Sequence, residues 1–508
     1  MKKKLLVAVL AILMLGAFAA CSITQVSAMA FSVAPNATYE KTDTPSVAAS
    51  QFKVQVDMED GSSREFALDN SLLTVQGLVN GCLDTTTVGQ KTLRVSYRGF
   101  SFTFTYTVLG QGSSLSKWED EGNYDADIAF TFNNTEETVT IQDAADLAGF
   151  AYKLNHQEGT AQTYTGTVTL AANIDLGGKQ WVPIENFGGT FEGGNYTVSN
   201  LTIINTDNTE KLENQGLFGA ISATSTFRNV TLDNFYIEET NNQAMTSKNY
   251  GALIGTVTNT GDLTVTVENV TVTNAVIKGT ARLAGIIGYV FDSSHKQVVS
   301  VSNCYVQGSF TSINPVTVTT EDGEGDKVGG IIGQANGKNQ TITNCTVLVQ
   351  LAGTRDIGGI VGYLNNGTIS GCTVLNGSAL RASVAGGMLM TKGTRNVGGI
   401  VGSVQGVYTV GEGNTVEDGV VRETNNMYDY SNTGLLLGGF RSTGYVVFGD
   451  SYYCLISGTT ETVEFATGTG TAPTRWNTGS NKADNMGDFM TAQSAALTAL
   501  EEDYFVQK

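Results

Sequence analysis

Polar and apolar residues alternate in short runs along most of this chain. One such run, which we call the asparagine phrase, recurs with small changes. It has four positions. The first is asparagine or glycine, the second is small or apolar, the third is usually threonine and the fourth is apolar. The copies are Asn229-Val230-Thr231-Leu232, Asn269-Val270-Thr271-Val272, Asn303-Cys304-Tyr305-Val306, Asn344-Cys345-Thr346-Val347 and Gly371-Cys372-Thr373-Val374, with a weaker Asn414-Thr415-Val416. A period of two residues predicts β-strands.

A second recurring run, which we call the glycine phrase, is apolar and enclosed by glycines. Its copies are Gly216-Leu217-Phe218-Gly219, Gly251-Ala252-Leu253-Ile254-Gly255, Gly285-Ile286-Ile287-Gly288, Gly329-Gly330-Ile331-Ile332-Gly333, Gly358-Gly359-Ile360-Val361-Gly362 and Gly398-Gly399-Ile400-Val401-Gly402, with a looser Gly434-Leu435-Leu436-Leu437-Gly438. The closing glycines of the first six copies are 29 to 45 residues apart, as expected for constant strands separated by variable loops. Two strands cannot bury an apolar face alone, so the units are predicted to stack as a β-solenoid. We expect the glycines at sharp corners, where they supply positive φ or close backbone approach.

These phrases resemble the GLUG motif of bacterial surface proteins. The approach to them resembles the segment that opens arrays of this motif; it consists of Leu170-Ala171-Ala172-Asn173-Ile174-Asp175-Leu176, Trp181-Val182-Pro183-Ile184 and Phe191-Glu192-Gly193-Gly194-Asn195. The resemblance covers residues 136–440 and implies a right-handed parallel β-helix of the pectin-lyase type. It is specific for architecture and weak for activity.

Residues 1–21 have the pattern of an export signal, with Lys2-Lys3-Lys4 before an apolar run from Leu5 to Ala20. The end of this segment, Phe18-Ala19-Ala20-Cys21, resembles a bacterial lipobox, although Phe18 stands where leucine is usual. That resemblance implies that Cys21 is the acylated first residue of a mature lipoprotein. Ala28-Met29-Ala30 is the alternative, an ordinary cleavage site. In both cases we predict an exported protein, and with Cys21 acylated one that is lipid-anchored to the bacterial membrane and exposed at the cell surface.

Residues 22–109 are predicted to form a separate β-domain. Two alternating runs, Leu93 to Tyr97 and Phe102 to Val108, are joined at Arg98-Gly99, which is typical of a hairpin. The stretch from Asp84 to Gly99 resembles the last third of a bacterial Ig-like module. This resemblance implies a β-sandwich, commonly a spacer or an adhesive unit. The predicted fold class is therefore all-β, an Ig-like sandwich followed by a parallel β-helix.

A short helix is predicted to cap the solenoid. Residues 110–135 are polar and acidic and indicate a linker or an extended lead-in. The period then changes, with Asp143 as the N-cap of a helix whose apolar face carries Leu147, Phe150, Ala151 and Leu154. Such a helix shields the first open coil. Residues 441–508 are predicted to hold a terminal coil and a second helix from Gly487 to Tyr504.

Composition supports a folded β-rich chain and narrows its partners. The 508 residues include 60 glycines, 41% hydrophobic residues and only 15% charged residues. A net charge of -19 argues against nucleic acid as a partner, because phosphates would be repelled. We attribute the acidity mainly to the solubility of an exported protein.

Enzymatic chemistry has little support in the sequence. The two histidines, His156 and His295, belong to no His-Glu-Xaa-Xaa-His motif or zinc-ligand pair. Similar repeats also occur in the amino-terminal parts of immunoglobulin A metallopeptidases, whose catalytic unit this chain lacks. Glycoside hydrolysis needs two carboxylates about 5 to 10 Å apart, whereas Asp356 is the only carboxylate between Lys327 and Gly411. We favour a non-enzymatic protein without cofactor or metal. A polysaccharide lyase or glycoside hydrolase on the same scaffold is the alternative.

Three cysteines, Cys304, Cys345 and Cys372, hold the same place in successive copies of the first phrase. Stacked coils bring equivalent residues to about 4.8 Å from one another. We expect an inward ladder of small apolar side chains. A disulfide between two neighbouring coils is the alternative for an exported protein.

Five basic residues lie six or seven positions before closing glycines: Lys248, Arg282, Lys327, Arg355 and Arg395. If the coils stack in register, these side chains form a basic stripe along one edge of the solenoid. An acidic ligand such as an anionic glycan would relieve their mutual repulsion. The alternative is that they are turn residues in water, partly offset by Asp326 and Asp356.

Two acidic groups are predicted to be solvated rather than to bind calcium. They are the pair Asp125 and Asp127 and the run from Glu321 to Asp326, neither of which has the ligand spacing of an EF-hand loop. The function predicted from the sequence is that of a non-enzymatic β-helix on the cell surface. Its expected partners are a glycan or host surface protein, and the membrane through the lipid on Cys21.

Overall fold

The computed structural model describes most of the chain as far as residue 404 and short segments beyond it. The described residues are 25–36, 38–58, 62–87, 89–109, 115–205, 213–239, 248–258, 261–291, 297–312, 326–337, 339–382, 395–404, 407–410, 413–417, 420–424, 431–434, 437–440, 445–448, 453–455, 462–464 and 475–477. Cys21, the residues from 321 to 325 and the predicted helix from Gly487 to Tyr504 lie outside them. Within these ranges, no helix has the length and apolar character needed to cross a membrane.

The first described region is a β-sandwich. Its strands are β1 (Val26–Val33), β2 (Thr38–Glu40), β3 (Lys53–Met58), β4 (Ser63–Ala67), β5 (Thr74–Gln76), β6 (Leu78–Val79), β7 (Cys82–Leu83), β8 (Gly89–Tyr97) and β9 (Phe100–Leu109). One sheet has the order β1-β3-β4 and the other β2-β9-β8-β5, while β6 and β7 form a small hairpin. Inward side chains of both sheets share one apolar core. The predicted hairpin turn is confirmed, because Arg98 and Gly99 both have positive φ, 47° and 88°.

The cap of the solenoid contains helix α1 (Ala144–Asn155). The carboxylate of Asp143 accepts hydrogen bonds from the backbone N–H groups of Ala145 and Asp146, at 2.9 and 3.0 Å. This confirms the predicted N-cap. The predicted face is also confirmed, since Leu147, Phe150, Ala151 and Leu154 are buried.

The segment before the helix belongs to the cap from Leu115 onward. Trp118 is buried in the solenoid core and donates from Nε1 to the carbonyl of Leu176 at 3.0 Å. The ring of Tyr124 stacks on that of Tyr152 in α1, with centroids 4.2 Å apart. Of the two alternatives, this part is therefore an extended lead-in and not a solvated linker.

The remaining strands follow one another in coils. The first are β10 (Thr138–Ile141), β11 (Thr167–Leu170), β12 (Ile174–Asp175), β13 (Gly189–Glu192), β14 (Thr197–Ser199), β15 (Thr202–Asn205), β16 (Asn214–Gln215), β17 (Phe218–Ile221), β18 (Ser225–Asp233) and β19 (Tyr236–Glu239). The middle coils hold β20 (Asn249–Gly251), β21 (Ile254–Thr258), β22 (Leu263–Gly279), β23 (Arg282–Ala284), β24 (Ile287–Phe291), β25 (Gln297–Ser302), β26 (Tyr305–Ser312), β27 (Lys327–Gly329), β28 (Ile332–Ala335), β29 (Asn339–Thr343), β30 (Thr346–Gly353), β31 (Asp356–Gly358) and β32 (Val361–Leu364). The last are β33 (Gly367–Ser370), β34 (Thr373–Val374), β35 (Ala379–Ala382), β36 (Arg395–Gly398), β37 (Val401–Val404), β38 (Val407–Val410), β39 (Thr415–Val416), β40 (Val421–Thr424), β41 (Ser431–Gly434), β42 (Leu437–Phe440), β43 (Tyr445–Phe448), β44 (Tyr453–Leu455), β45 (Thr462–Glu464) and β46 (Arg475–Asn477).

Successive coils pair in parallel, so the fold is a parallel β-helix as predicted. Two sheets contain the two halves of the glycine phrase, in the orders β16-β20-β23-β27-β31-β36-β41 and β17-β21-β24-β28-β32-β37-β42. A third, larger sheet contains the asparagine phrase and its neighbours. Equivalent residues are in register, as in the pairing of Val230 with Val270. Antiparallel pairing within this sheet occurs only at the far end of the described strands, where β43 meets β46 and β44 meets β45.

The two phrases make different corners. Asn229, Asn269, Asn303 and Asn344 all have φ between 53° and 57°, and Gly371 and Gly413 take the same place in later coils. The left-handed conformation expected of the glycines therefore belongs to the asparagine phrase. None of the described glycines of the glycine phrases has positive φ. They instead permit close backbone approach, since a Cβ on Gly333 would lie 2.6 Å from the carbonyl oxygen of Gly288.

The sandwich is docked against one flank of the β-helix. Gln307 Nε2 donates to the carbonyl of Met29 at 2.9 Å, and Lys278 Nζ donates to Asn36 Oδ1 at 2.7 Å. Tyr236 and Val276 form a small buried apolar cluster on the flank, with Ala34 packed against it. The sandwich is thus in lateral contact with the coils, and this flank is covered.

Candidate functional site

The five predicted basic residues do not form a single column. Register places Arg282 opposite Lys327, and Lys327 opposite Asp356. Lys248 precedes Asn249, the partner of Arg282, by one residue. Arg355 likewise precedes Asp356, the partner of Lys327, so it is also one residue out of this column. Counting back six or seven residues mixed two neighbouring positions, and a shift of one residue in a strand moves a side chain to the other face.

The predicted solvent-facing stripe is wrong for the three residues at its start. Lys248, Arg282 and Lys327 are only 1%, 6% and 2% exposed. Lys248 and Arg282 belong to a buried polar ladder at the glycine corner, which we define as the Lys248 group and the Arg282 group described below. Buried charges need compensating partners, and these partners occupy the donors that a ligand would use.

The Lys248 group contains a buried ion pair. Lys248 Nζ donates to Glu239 Oε2, and Glu239 is fully buried. The same carboxylate oxygen accepts from Asn205 Nδ2 at 3.0 Å and from the hydroxyl of Tyr250 at 3.4 Å. Burial, and then the charge of Glu239, raise the pKa of the Tyr250 hydroxyl, which stays a hydrogen-bond donor.

The Arg282 group links neighbouring coils. Arg282 donates from Nε to Gln334 Oε1 at 2.7 Å and from Nη1 to Asn249 Oδ1 at 3.2 Å. Its guanidinium carbon lies 4.0 Å from the centroid of the Tyr289 ring. The geometry and electrostatics of this group suit a structural role, because the planar guanidinium holds partners from three coils.

The aspartates expected to offset the stripe in water are also buried. Asp326 and Asp356 are both fully inaccessible. Asp326 accepts from the backbone N–H of Ala281 and from Thr354 Oγ1, each at 2.8 Å. Asp356 accepts from Asn396 Nδ2 at 2.7 Å. The one carboxylate of the most regular coils is therefore part of the internal hydrogen-bonding of the fold.

The remaining predicted site residues are only partly described. Arg355 is half-buried and takes part in polar interactions. Arg395 begins β36, but its side chain lies outside the described atoms. Across the described ranges, no three histidine, cysteine or acidic side chains are grouped as metal ligands, and Asp125 instead accepts from the backbone N–H of Asp127 at 2.9 Å.

The cysteine column is an inward ladder of free thiols. Cys304, Cys345 and Cys372 are at most 2% exposed and none is in a disulfide. They lie in successive coils, because the residues that follow them, Tyr305, Thr346 and Thr373, are paired. The neighbouring thiol of Cys345 and burial raise the pKa of Cys304 and of Cys372 well above the ordinary value. These thiols pack as small apolar groups.

A regular surface that sequence reasoning missed lies on the outer side of the larger sheet. One column, which we call the hydroxyl face, carries a hydroxyl in seven successive coils and consists of Thr167, Thr190, Thr226, Thr266, Ser300, Thr341 and Thr368. These side chains are half-buried, and the residue after each of them points into the core. The signal that could have found them is the alternation itself, because each hydroxyl residue precedes a buried Val, Ile or Phe.

The column two residues further along the same strands is more varied. It contains Thr169, Glu192, Arg228, Glu268, Ser302, Thr343 and Ser370. Arg228 Nε and Glu192 Oε2 are 2.7 Å apart, in an exposed pair. The outer surface is therefore mostly hydroxyl, with a short charged patch in its early coils.

Comparison with known proteins gives partial matches. No family model matches the chain. Halomucin of Haloquadratum walsbyi is 28% identical over 124 residues, which is 24% of this chain and 1% of that protein. The crystal structure of a "putative immunoglobulin A1 protease" from Bacteroides ovatus is similar with a TM-score of 0.30 and 14% identity, covering 66% of this chain and 82% of that one. These matches assign neither a family nor an activity to this chain.

Proposed function

We propose that this protein is an exported, surface-anchored and non-enzymatic β-helix that binds an extended glycan or surface protein. The observation that carries the proposal is the hydroxyl face, which repeats one kind of polar side chain coil after coil at about 4.8 Å. A ligand with its own repeating hydrogen-bonding groups fits such a surface better than a compact molecule does. The weak similarity to halomucin agrees with an extracellular setting.

The charged side chains of the coils also support binding over catalysis, because several of them are buried and form contacts within the fold. Three of the basic residues first considered for an anionic glycan, Lys248, Arg282 and Lys327, are buried, so the ligand we propose is neutral rather than acidic. A neutral glycan offers hydroxyl donors and acceptors that match threonine and serine. Asp356, the carboxylate within the regular coils, is committed to Asn396.

Binding can be tested with the chain lacking residues 1–21 on an array of neutral and acidic glycans. We expect neutral linear glycans to be retained, and we expect Thr266→Glu combined with Thr341→Glu to weaken that binding at least tenfold. The matched control is Thr103→Glu on the exposed surface of β9, which should leave binding unchanged. Equal binding by the double variant and the wild type would contradict a role for the hydroxyl face.

The anchor is a separate part of the proposal. A Cys21→Ala variant expressed in a bacterium with the lipoprotein pathway should leave the membrane fraction and lose incorporation of labelled fatty acid. If the variant still fractionates with membranes and still incorporates the label, acylation at Cys21 is wrong.

A further inference from the structure

The sandwich side of the docked interface carries a buried carboxyl group. Asp57 is 6% exposed, although it lies on the outer side of β3. Its neighbours Val56 and Met58 point into the sandwich core. Because side chains alternate along a strand, the β-helix rather than the sandwich buries Asp57.

Two glutamines hold this carboxyl group against the β-helix. Gln55 Nε2 donates to Asp57 Oδ1 at 3.1 Å and also to the carbonyl of Gly377. From the other side, Gln350 Nε2 donates to Gln55 Oε1 at 3.0 Å and to the carbonyl of Gly377 at 2.7 Å. Gly377 also lies directly against the carboxyl group of Asp57, since a Cβ on Gly377 would overlap Asp57 Oδ1.

The charge environment of Asp57 disfavours its ionised form. Glu417, whose Oε2 accepts from the backbone N–H of Asn376 at 2.8 Å, faces it from the β-helix. The hydroxyl of Tyr305 also lies near it. Burial raises the pKa of Asp57 to about 6, Glu417 adds to the rise, and hydrogen bonds from Ser63 and Gln55 oppose it. Farther out on the same interface, Lys53 binds Glu65, which also feels the charge of Arg381.

We propose that the contact of Asp57 and Gln55 with the turn at Gly377 is a proton-dependent clasp between the sandwich and the β-helix. Protonated Asp57 fits the dry interface and keeps the sandwich docked. Ionised Asp57 is repelled by Glu417 and regains water only when the sandwich moves away. Release uncovers the flank that carries Tyr236, Val276 and Gln307, so the clasp controls how much of the β-helix is open to a ligand.

The direction of the pH effect follows from linkage. Because the pKa of Asp57 is higher in the docked state, about 6 against an ordinary 3.8, the docked state binds the proton more tightly. Docking is strongest below about pH 4 and weakens as the pH rises through about 6. The equilibrium constant for docking falls about a hundredfold over this range.

The clasp can be tested by labelling a cysteine placed under the sandwich. In a Val276→Cys variant the new thiol replaces a side chain that is 6% exposed. Its reaction with dithiodipyridine, which proceeds in acid as well as at neutral pH, is followed by peptide mass spectrometry to separate it from the native cysteines. The rate is divided by that of Thr103→Cys, an exposed reference. We expect this ratio to rise up to about a hundredfold from pH 4 to pH 7.

Two further variants make the outcome decisive. Asp57→Asn should remove the pH dependence and keep the labelling slow. Gly377→Ala should raise the labelling at every pH, because its Cβ would collide with Gln55 and Asp57. The control Gly178→Ala has a similar φ, 83° against 93°, but open space around it. A flat ratio in the wild-type protein, or a rise that persists in Asp57→Asn, overturns the proposal.

Discussion

Each coil turns two kinds of corner, and the two make opposite demands on the residue that occupies them. At the glycine corner the backbone has negative φ, but there is no room for a side chain. Atoms of adjacent coils occupy the position that a Cβ would take. At the asparagine corner the space is present but the backbone is left-handed. The first corner is buried, whereas residues at the second are exposed or half-buried.

This difference explains why the two phrases vary differently. The asparagine corner accepts glycine at Gly371 and Gly413, since both residue types tolerate positive φ. At the closing glycines Gly255, Gly288, Gly333, Gly362 and Gly402 any side chain would strike the backbone of a neighbouring coil. In a repeat protein the residue type at one position can therefore be restricted by backbone conformation and at another by the available volume. The two positions then accept different substitutions.

The largest effect is expected where the glycine corner holds a buried ion pair. Glu239→Gln leaves the ammonium of Lys248 without its charged partner and should lower the free energy of unfolding by about 3–5 kcal/mol. Adding Lys248→Met should restore most of that loss, because no unpaired charge remains. Thermal unfolding of the coils, followed by circular dichroism, measures both. Equal stability of the single and double variants would contradict this account of the ladder.

The steric demand of the glycine corner is tested at Gly333. Its Cβ would lie 2.6 Å from the carbonyl oxygen of Gly288 and 2.9 Å from the backbone nitrogen of Leu283. Since neither atom can rotate away, Gly333→Ala should destabilise the coils by about 3 kcal/mol. Asn344→Gly is the matched control at the asparagine corner of the same coil, between β29 and β30, and should change stability little. A neutral Gly333→Ala would show that the coils separate easily.

The first glycine corner differs from the rest because a carboxyl group fills it. Glu185 Oε2 accepts from the backbone N–H of Ala220 at 2.9 Å, next to Gly219, and burial raises the pKa of Glu185 to about 7. Its folded-state pKa is above the ordinary 4.5, so its contribution to stability is full below about pH 4.5 and is lost as the pH rises through about 7. Glu185→Gln should remove this pH dependence and stabilise the cap at pH 8 by on the order of 2 kcal/mol. Urea unfolding at pH 5 and pH 8 measures the effect, and an unchanged slope with pH would contradict it.

The smallest effect is expected at the asparagine corner. Asn269 has φ of 53°, and Asn269→Ala should cost about 1 kcal/mol more than Asn269→Gly, because only alanine adds backbone strain. Asn269→Gly should be close to neutral, apart from the loss of the 3.1 Å hydrogen bond to Asn229. If alanine and glycine behave alike in chemical denaturation, conformation is not what restricts this corner.

Much of the fold was predictable because its signals are local. The alternation around Val230 and Val270 identified strands, and the recurrence of the glycine phrase indicated stacking. Asp143 and the apolar face after it predicted the cap helix for the same reason. The lateral docking of the sandwich was not predictable, because it depends on Gln55, Gln307 and Gln350, isolated polar residues that no period marks.

The candidate site was harder to predict, because the burial of a side chain depends on contacts with residues that are distant in the sequence. Lys248, Arg282 and Lys327 looked alike in sequence, yet their surroundings are set by residues such as Glu239 and Gln334 in other strands. Counting back from the closing glycines also mixed two neighbouring register positions, and both positions are buried at Lys248, Arg282 and Lys327. The hydroxyl face was overlooked for the opposite reason, since threonines are common in any strand.

The repetition of the hydroxyl face also makes binding positions degenerate. Neighbouring rungs such as Thr226 and Thr266 present the same group in the same orientation. A long ligand can therefore shift along the axis by one rung, about 4.8 Å, and form nearly the same hydrogen bonds again. Such a surface offers many equivalent binding registers to one polymer. Occupancy therefore grows with the length of the polymer, while no single threonine dominates the affinity.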